Sequence, residues 1–158
     1  MKKFVLLAVL SQLSEFAHAC GTDAQREAMA KALYTNAEMQ AFVCGKNSCP
    51  LQDFESGLRF EEYSKLFHGK KIPVCLVEPN LSATNSYTGV FASTGSDFSL
   101  QFVSYGTGVK VGVNKSGTPM ISEYSVSDPD NEDYSVSEYL WSGKGFLFTK
   151  TKKISGLI

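Results

Sequence analysis

Apolar and polar positions take turns from Phe98 to Val113. Phe98, Leu100 and Phe102 alternate with Ser99 and Gln101, and Val109, Val111 and Val113 alternate with Lys110 and Gly112. A strand turns successive side chains to opposite faces, so each run offers one apolar and one wetter face. The link Tyr105-Gly106-Thr107-Gly108 carries two glycines suited to a turn. The stretch is therefore predicted as a hairpin at the centre of an antiparallel sheet. The same pattern predicts strands at Tyr87–Ala92, Pro119–Val126, Tyr134–Trp141 and Gly145–Lys150, with turn residues at 94–97, 114–117 and 142–145. The β-branched run Ile72–Val77 adds another, and Pro73 near its start marks a strand beginning or an edge. Glu123-Tyr-Ser-Val-Ser-Asp128 and Asp133-Tyr-Ser-Val-Ser-Glu138 echo each other across a short loop, as the two arms of a hairpin would.

The period changes before residue 70. Thr22 with Gln25 three residues on is a capping-box pattern. Ala24, Ala28, Met29, Ala32 and Leu33 follow at helical spacing. Thr35-Asn36-Ala37-Glu38 repeats the capping pattern and predicts either a second short helix through Val43 or a kink in one helix. Phe54, Leu58, Tyr63, Leu66 and Phe67 include helical spacings, so a further helix is expected over Phe60–His68, closed by Gly69. The fold class expected is α+β: short N-terminal helices packed on a C-terminal antiparallel β meander, a sandwich or partial barrel.

The first residues divide off from this pattern. Met1-Lys2-Lys3, a short apolar run from Phe4 to Leu13, and Ala17-His18-Ala19 form the order of a secretory signal peptide. The apolar run is shorter than the roughly 20 residues that span a bilayer. The division expected is a signal peptide at 1–19 and one α+β domain at 20–158, helical over 20–69 and β over 70–152. Removing Lys2, Lys3 and Glu15 leaves 13 basic and 15 acidic side chains. That balance, with no dense Lys/Arg cluster beside aromatics, points away from nucleic acid. Cys20, Cys44, Cys49 and Cys75 make an even set, read in an exported chain as disulfides. A local Cys44–Cys49 bridge leaves Cys20 for Cys75, one of three possible pairings. Cys20 directly after Ala19 also raises the alternative of a lipid anchor at Cys20, which would leave one cysteine unpaired.

Candidate chemistry concentrates in one place. Glu123, Asp128, Asp130, Glu132, Asp133 and Glu138 occur with no Lys or Arg between Lys115 and Lys144. The loop 128–133 has a passing likeness to a calcium loop, but it lacks the glycine and the bidentate Glu at the twelfth position. An acidic patch of this kind recognises a basic partner, raising on-rate and selectivity. Cys44, Cys49, Cys75 and His68 lack zinc-knuckle spacing. With His18 in the leader, His68 is the one histidine left for a Ser-His-Asp triad, and there is no Gly-x-Ser-x-Gly elbow. Paired acids such as Glu61/Glu62 suit a glycosidase only at a set separation.

These observations predict a non-catalytic, periplasmic or secreted binding protein with no cofactor and no metal. Its partner is expected to be a protein, docked through the acidic hairpin residues. In size, export and cysteine content, though in no motif, it looks like the small envelope inhibitors and immunity proteins that block a hydrolase. An envelope-anchored lipoprotein with a structural or assembly role is the alternative, and a small hydrolase comes after it.

Overall fold

The computed structural model describes residues 20–45, 48–128 and 133–155. Three short helices come first: α1 (Asp23–Tyr34), α2 (Ala37–Cys44) and α3 (Leu51–Ser56). Eight strands follow: β1 (Leu58–Phe67), β2 (Lys70–Pro79), β3 (Ser86–Ser93), β4 (Phe98–Gly106), β5 (Gly108–Val113), β6 (Pro119–Asp128), β7 (Asp133–Trp141) and β8 (Phe146–Ile154). They form two four-stranded antiparallel sheets in chain order, β1-β2-β3-β4 and β5-β6-β7-β8. The class is α+β and mostly sheet, in agreement with the hydrophobic pattern.

The layers follow from alternation along β2. Cys75 and Val77 belong to one apolar cluster with Met29, Ala30, Leu33, Met39, Phe54 and Phe91, which seats the helices on the outer face of the first sheet. Ile72, Val74 and Leu76 belong to a second cluster with Val90, Ala92, Ile121, Trp141 and Phe146, which joins the two sheets. β2 is thus buried on both faces, and its near-continuous apolar run has that cause. Pro73 lies before the stretch Val74–Val77 that pairs with β3, so its missing N–H falls outside that ladder.

α1 carries the predicted cap, and α2 is capped one residue later than the Thr35–Glu38 pattern, Thr35 being the C-cap of α1. Thr22 and Gln25 complete a capping box on α1, and Asn36 caps α2 by accepting from the Met39 N–H at 2.9 Å. The two helices are therefore separate, with Asn36 as the second cap. Cys20–Cys75 ties the segment before α1 to β2, and Cys44–Cys49 staples the end of α2 to the approach of α3.

Two expectations need correction. Residues 60–67 belong to strand β1 and His68 to the turn after it, not to a helix, so the helical part ends at Ser56. Phe60 packs on the helix-side cluster, whereas Tyr63 and Phe67 pack on the inter-sheet cluster. A strand that changes its buried face along its length spaces these aromatics three and four apart, which imitates a helix. Gly69 does not close a helix. It follows His68 in a two-residue hairpin turn, with φ of 74° and 49° respectively, between Phe67 and Lys70.

The stretch Phe98–Val113 is the second correction. β4 and β5 are terminal strands of different sheets and do not pair with each other. β4 pairs with β3 and β5 with β6, each across a short polar turn, while Gly106-Thr107-Gly108 carries the chain from one sheet to the other. Thr107 N–H donates to the Tyr124 carbonyl at 2.8 Å, pinning the crossover to β6. β4 then steps across the second sheet. Ser104 reaches Glu123 on β6, Phe102 stacks on Tyr139 of β7, and Gln101 accepts from the Phe146 N–H at the start of β8.

Candidate functional site

The echo of 123–128 and 133–138 folds as its symmetry suggests. Tyr124 pairs with Val136, Ser125 with Ser135 and Val126 with Tyr134, so the copies are the two arms of one hairpin. Asp128 and Asp133 pair at its loop end. Asp130 and Glu132, and with them the calcium-like loop, lie outside the described residues.

The remaining two acids are engaged within the fold. Glu123 faces the first sheet, accepting from Ser104 Oγ at 2.8 Å and from the Tyr139 hydroxyl at 2.9 Å. Burial, and then the bond and charge of Glu123, push the Tyr139 phenol up to about 12. Glu138 lies on the other face of β7, only 16% exposed, with Lys152 Nζ at 2.6 Å and Lys150 Nζ at 3.4 Å. The Lys152 bond, ahead of Lys150, holds its carboxyl below the usual value. Both lysines come from β8, later in the chain than the one acid they neutralise, Glu138. The structure therefore keeps Asp128 and Asp133 together and assigns Glu123 and Glu138 to internal contacts.

A polar cleft lies near the same end, and the sequence pattern did not reveal it. The inner face of the first sheet changes character along three strands. Val74 and Leu76 give way to Glu78 on β2, Val90 to Thr88 on β3, and Phe67 to Tyr63, Glu61 and Arg59 on β1. A cleft of about 260 Å³ opens between these positions and the crossover Gly106–Gly108. Arg59 and Glu78 are cross-strand partners, with Arg59 Nε donating to Glu78 Oε2 at 3.0 Å and Nη2 also on that oxygen. Thr88 Oγ1 donates to the second oxygen, Oε1, at 3.0 Å. The Tyr63 hydroxyl donates to Glu61 at 2.9 Å. The Glu78 bond, with both carboxylates nearby, raises the Arg59 guanidinium. Burial, followed by Glu61, raises the Tyr63 phenol. The cleft thus sets one cation against two carboxylates, and Glu61 is the acid with the freer coordination. Read as a strand, Arg59-Phe-Glu-Glu-Tyr63 alternates in a way that would have placed Arg59, Glu61 and Tyr63 on one face; read as a helix, it scatters them.

The cleft is continuous with the hairpin. Thr107, Gly108 and Val109 also line a shallow hollow floored by Tyr124, Tyr134 and Lys110. The Lys110 ammonium sits 5.0 Å from the Tyr124 ring centroid, so that aromatic face already holds a cation. Tyr134 follows Asp133 at the loop end of the hairpin. Cleft and tyrosine hollow thus share the crossover residues Thr107 and Gly108 and the first residue after them, Val109.

Two other features bear on chemistry. All four cysteines are in disulfides, which suit an oxidising compartment. Among the described residues no three His, Cys, Asp or Glu side chains converge as metal ligands, and no helix is long and apolar enough to cross a membrane. His68 lies in the β1–β2 turn with its ring 4.2 Å from that of Phe67. No family model, curated protein or solved structure matches the chain.

Proposed function

We propose that the protein is exported and acts by binding, without catalysis, holding a basic protein partner on the surface that runs from the Glu61–Glu78 cleft over Tyr124 and Tyr134 to the acidic hairpin. The observation that carries this reading is the change of the inner sheet face from apolar to polar at Glu78, Thr88 and Glu61, which opens a cleft beside the crossover. An interior that ends in carboxylates suits a guanidinium or ammonium group, and flanking tyrosines suit the stem that carries it. The partner class that fits is a protein with a cationic cleft, such as a hydrolase held in check. Export is supported by the leader-like pattern at 1–19 and by the disulfides. The Cys20–Cys75 bridge favours a mature N-terminus without lipid, because one sulfur cannot serve both bonds.

The test is affinity capture of the mature protein from envelope and culture extracts at two salt concentrations. It is run beside Glu61→Gln and beside a variant with Asp128, Asp130, Glu132 and Asp133 as amides. A partner held by the native protein, weakened about tenfold by each variant and released by salt, is the expected result. Equal retention by all three proteins, or no partner for any, would overturn the reading.

A further inference from the structure

The end of the sandwich opposite the Glu61–Glu78 cleft is built from turns. Phe67, Lys70, Thr94 and Gly143 border one cleft there, so the β1–β2, β3–β4 and β7–β8 turns lie together. That cleft is not itself a site. Trp141, which also lines it, is 3% exposed, and its indole N–H, without a partner among the described residues, is closed to any ligand. The rim around the cleft is open.

The β1–β2 hairpin overhangs its sheet. β2 pairs with β3 only over Val74–Val77, so the rungs from Ser64–Pro73 to Phe67–Lys70 have no third strand beside them. At about 3.3 Å per residue this overhang is roughly 10 Å long. Register gives its tip the same make-up on both faces: Leu66 sits opposite Lys71 on one, and Phe67 opposite Lys70 on the other. Leu66 is 63% exposed, and Leu147, two residues after the β7–β8 turn, is 60% exposed. They are the two most exposed large apolar side chains among the described residues, and neither packs in an apolar cluster. Residues 64–73, 94–97 and 142–147 carry Lys65, Lys70, Lys71 and Lys144 against a single carboxylate, Asp97.

We infer that this end docks on a lipid bilayer rich in acidic phospholipid, with Leu66 and Leu147 entering the head-group layer and the lysines meeting the phosphates. Lysine stems lie along apolar surface while their ammonium groups stay among anionic head groups, so leucines ringed by lysines match a surface that is anionic outside and apolar beneath. A hairpin tip offers little of the roughly 800 Å² per side that a stable protein interface buries, whereas a bilayer demands no matching shape. The inference is independent of the basic-partner reading: docked by this end, the chain turns the Glu61–Glu78 cleft away from the lipid.

The mature protein is sedimented with vesicles of phosphatidylcholine alone and of phosphatidylcholine with phosphatidylglycerol in equal parts. The expected partition is about tenfold higher on the anionic vesicles and falls as salt is raised. Lys70→Gln/Lys71→Gln should lower it about tenfold, and Leu66→Ser/Leu147→Ser by about the same factor. All four positions are exposed, so the circular dichroism spectrum should not change. No partition to anionic vesicles, equal partition to both kinds, or full binding by either variant would overturn the inference. Self-association in sedimentation velocity that Leu66→Ser/Leu147→Ser abolishes, without vesicle binding, would assign the tip to a second copy of the chain and overturn it as well.

Discussion

Tyr139 concentrates the contact between the two sheets in one side chain. Its ring stacks on Phe102 at 4.2 Å and its hydroxyl donates to Glu123 at 2.9 Å. Ionising it would place a second negative charge against Glu123 in a poorly solvated gap, which is why its titration moves to about 12. A phenol raised from its ordinary 10.0 stabilises the fold fully below pH 10, and that contribution is lost as pH rises through about 12. Spectrophotometric titration of the phenolates should therefore show one ionisation with a midpoint near 12 that Tyr139→Phe removes. A native titration curve without that late step would contradict the assignment. The sequence exposed Glu123 as an acid but not as this phenol's acceptor. Which face of β6 meets the other sheet depends on the crossover at Gly106, not on local pattern. Trp141 was visible only as one aromatic among many, since the lack of a partner for its N–H is a property of the assembled interior.

At the scale of elements, the crossover is the tightest joint. A Cβ added to Gly106 would collide with the Tyr124 carbonyl oxygen, part of the β6 backbone that the crossover is bonded to. Backbone cannot swing aside as a side-chain tip can. Gly106→Ala is expected to cost about 1–3 kcal/mol. Gly95→Ala, where an added Cβ meets nothing within 4 Å, should stay within about 0.5 kcal/mol. Urea denaturation of both variants checks this. The element map was largely legible: the cap of α1, the β-branched run of β2 and the alternation and turn residues of β3 to β8 are local signals, and local interactions satisfy them. The partnership of β4 with β3 and β5 with β6 was not, because any two alternating runs with glycines between them look like a hairpin. β1 was misread because its two ends serve different layers.

The whole molecule is closed unevenly. Both disulfides lie in the first half, among the helices, β1 and β2, and residues 108–154 contain no cysteine. Cys20–Cys75 spans a separation of 55 residues and Cys44–Cys49 a separation of 5. On the chain-entropy model these contribute about 4 and about 2 kcal/mol. Cys20→Ala/Cys75→Ala should thus lose roughly twice the stability of Cys44→Ala/Cys49→Ala in thermal or denaturant unfolding, and equal losses would argue against that account. Polarity is divided too: one end of the sandwich offers carboxylates and tyrosines, the other lysines.

The exposed crossover at Thr107 has a consequence beyond its tightness. Every strand pairing lies wholly on one side of it, β1 to β4 before and β5 to β8 after. A nick there breaks no ladder. It turns the union of the two halves into an association between fragments, with the apolar layer around Ile72, Val90, Ile121 and Trp141 as its interface. The three-residue tether then matters chiefly as effective concentration, converting a bimolecular encounter into an intramolecular one.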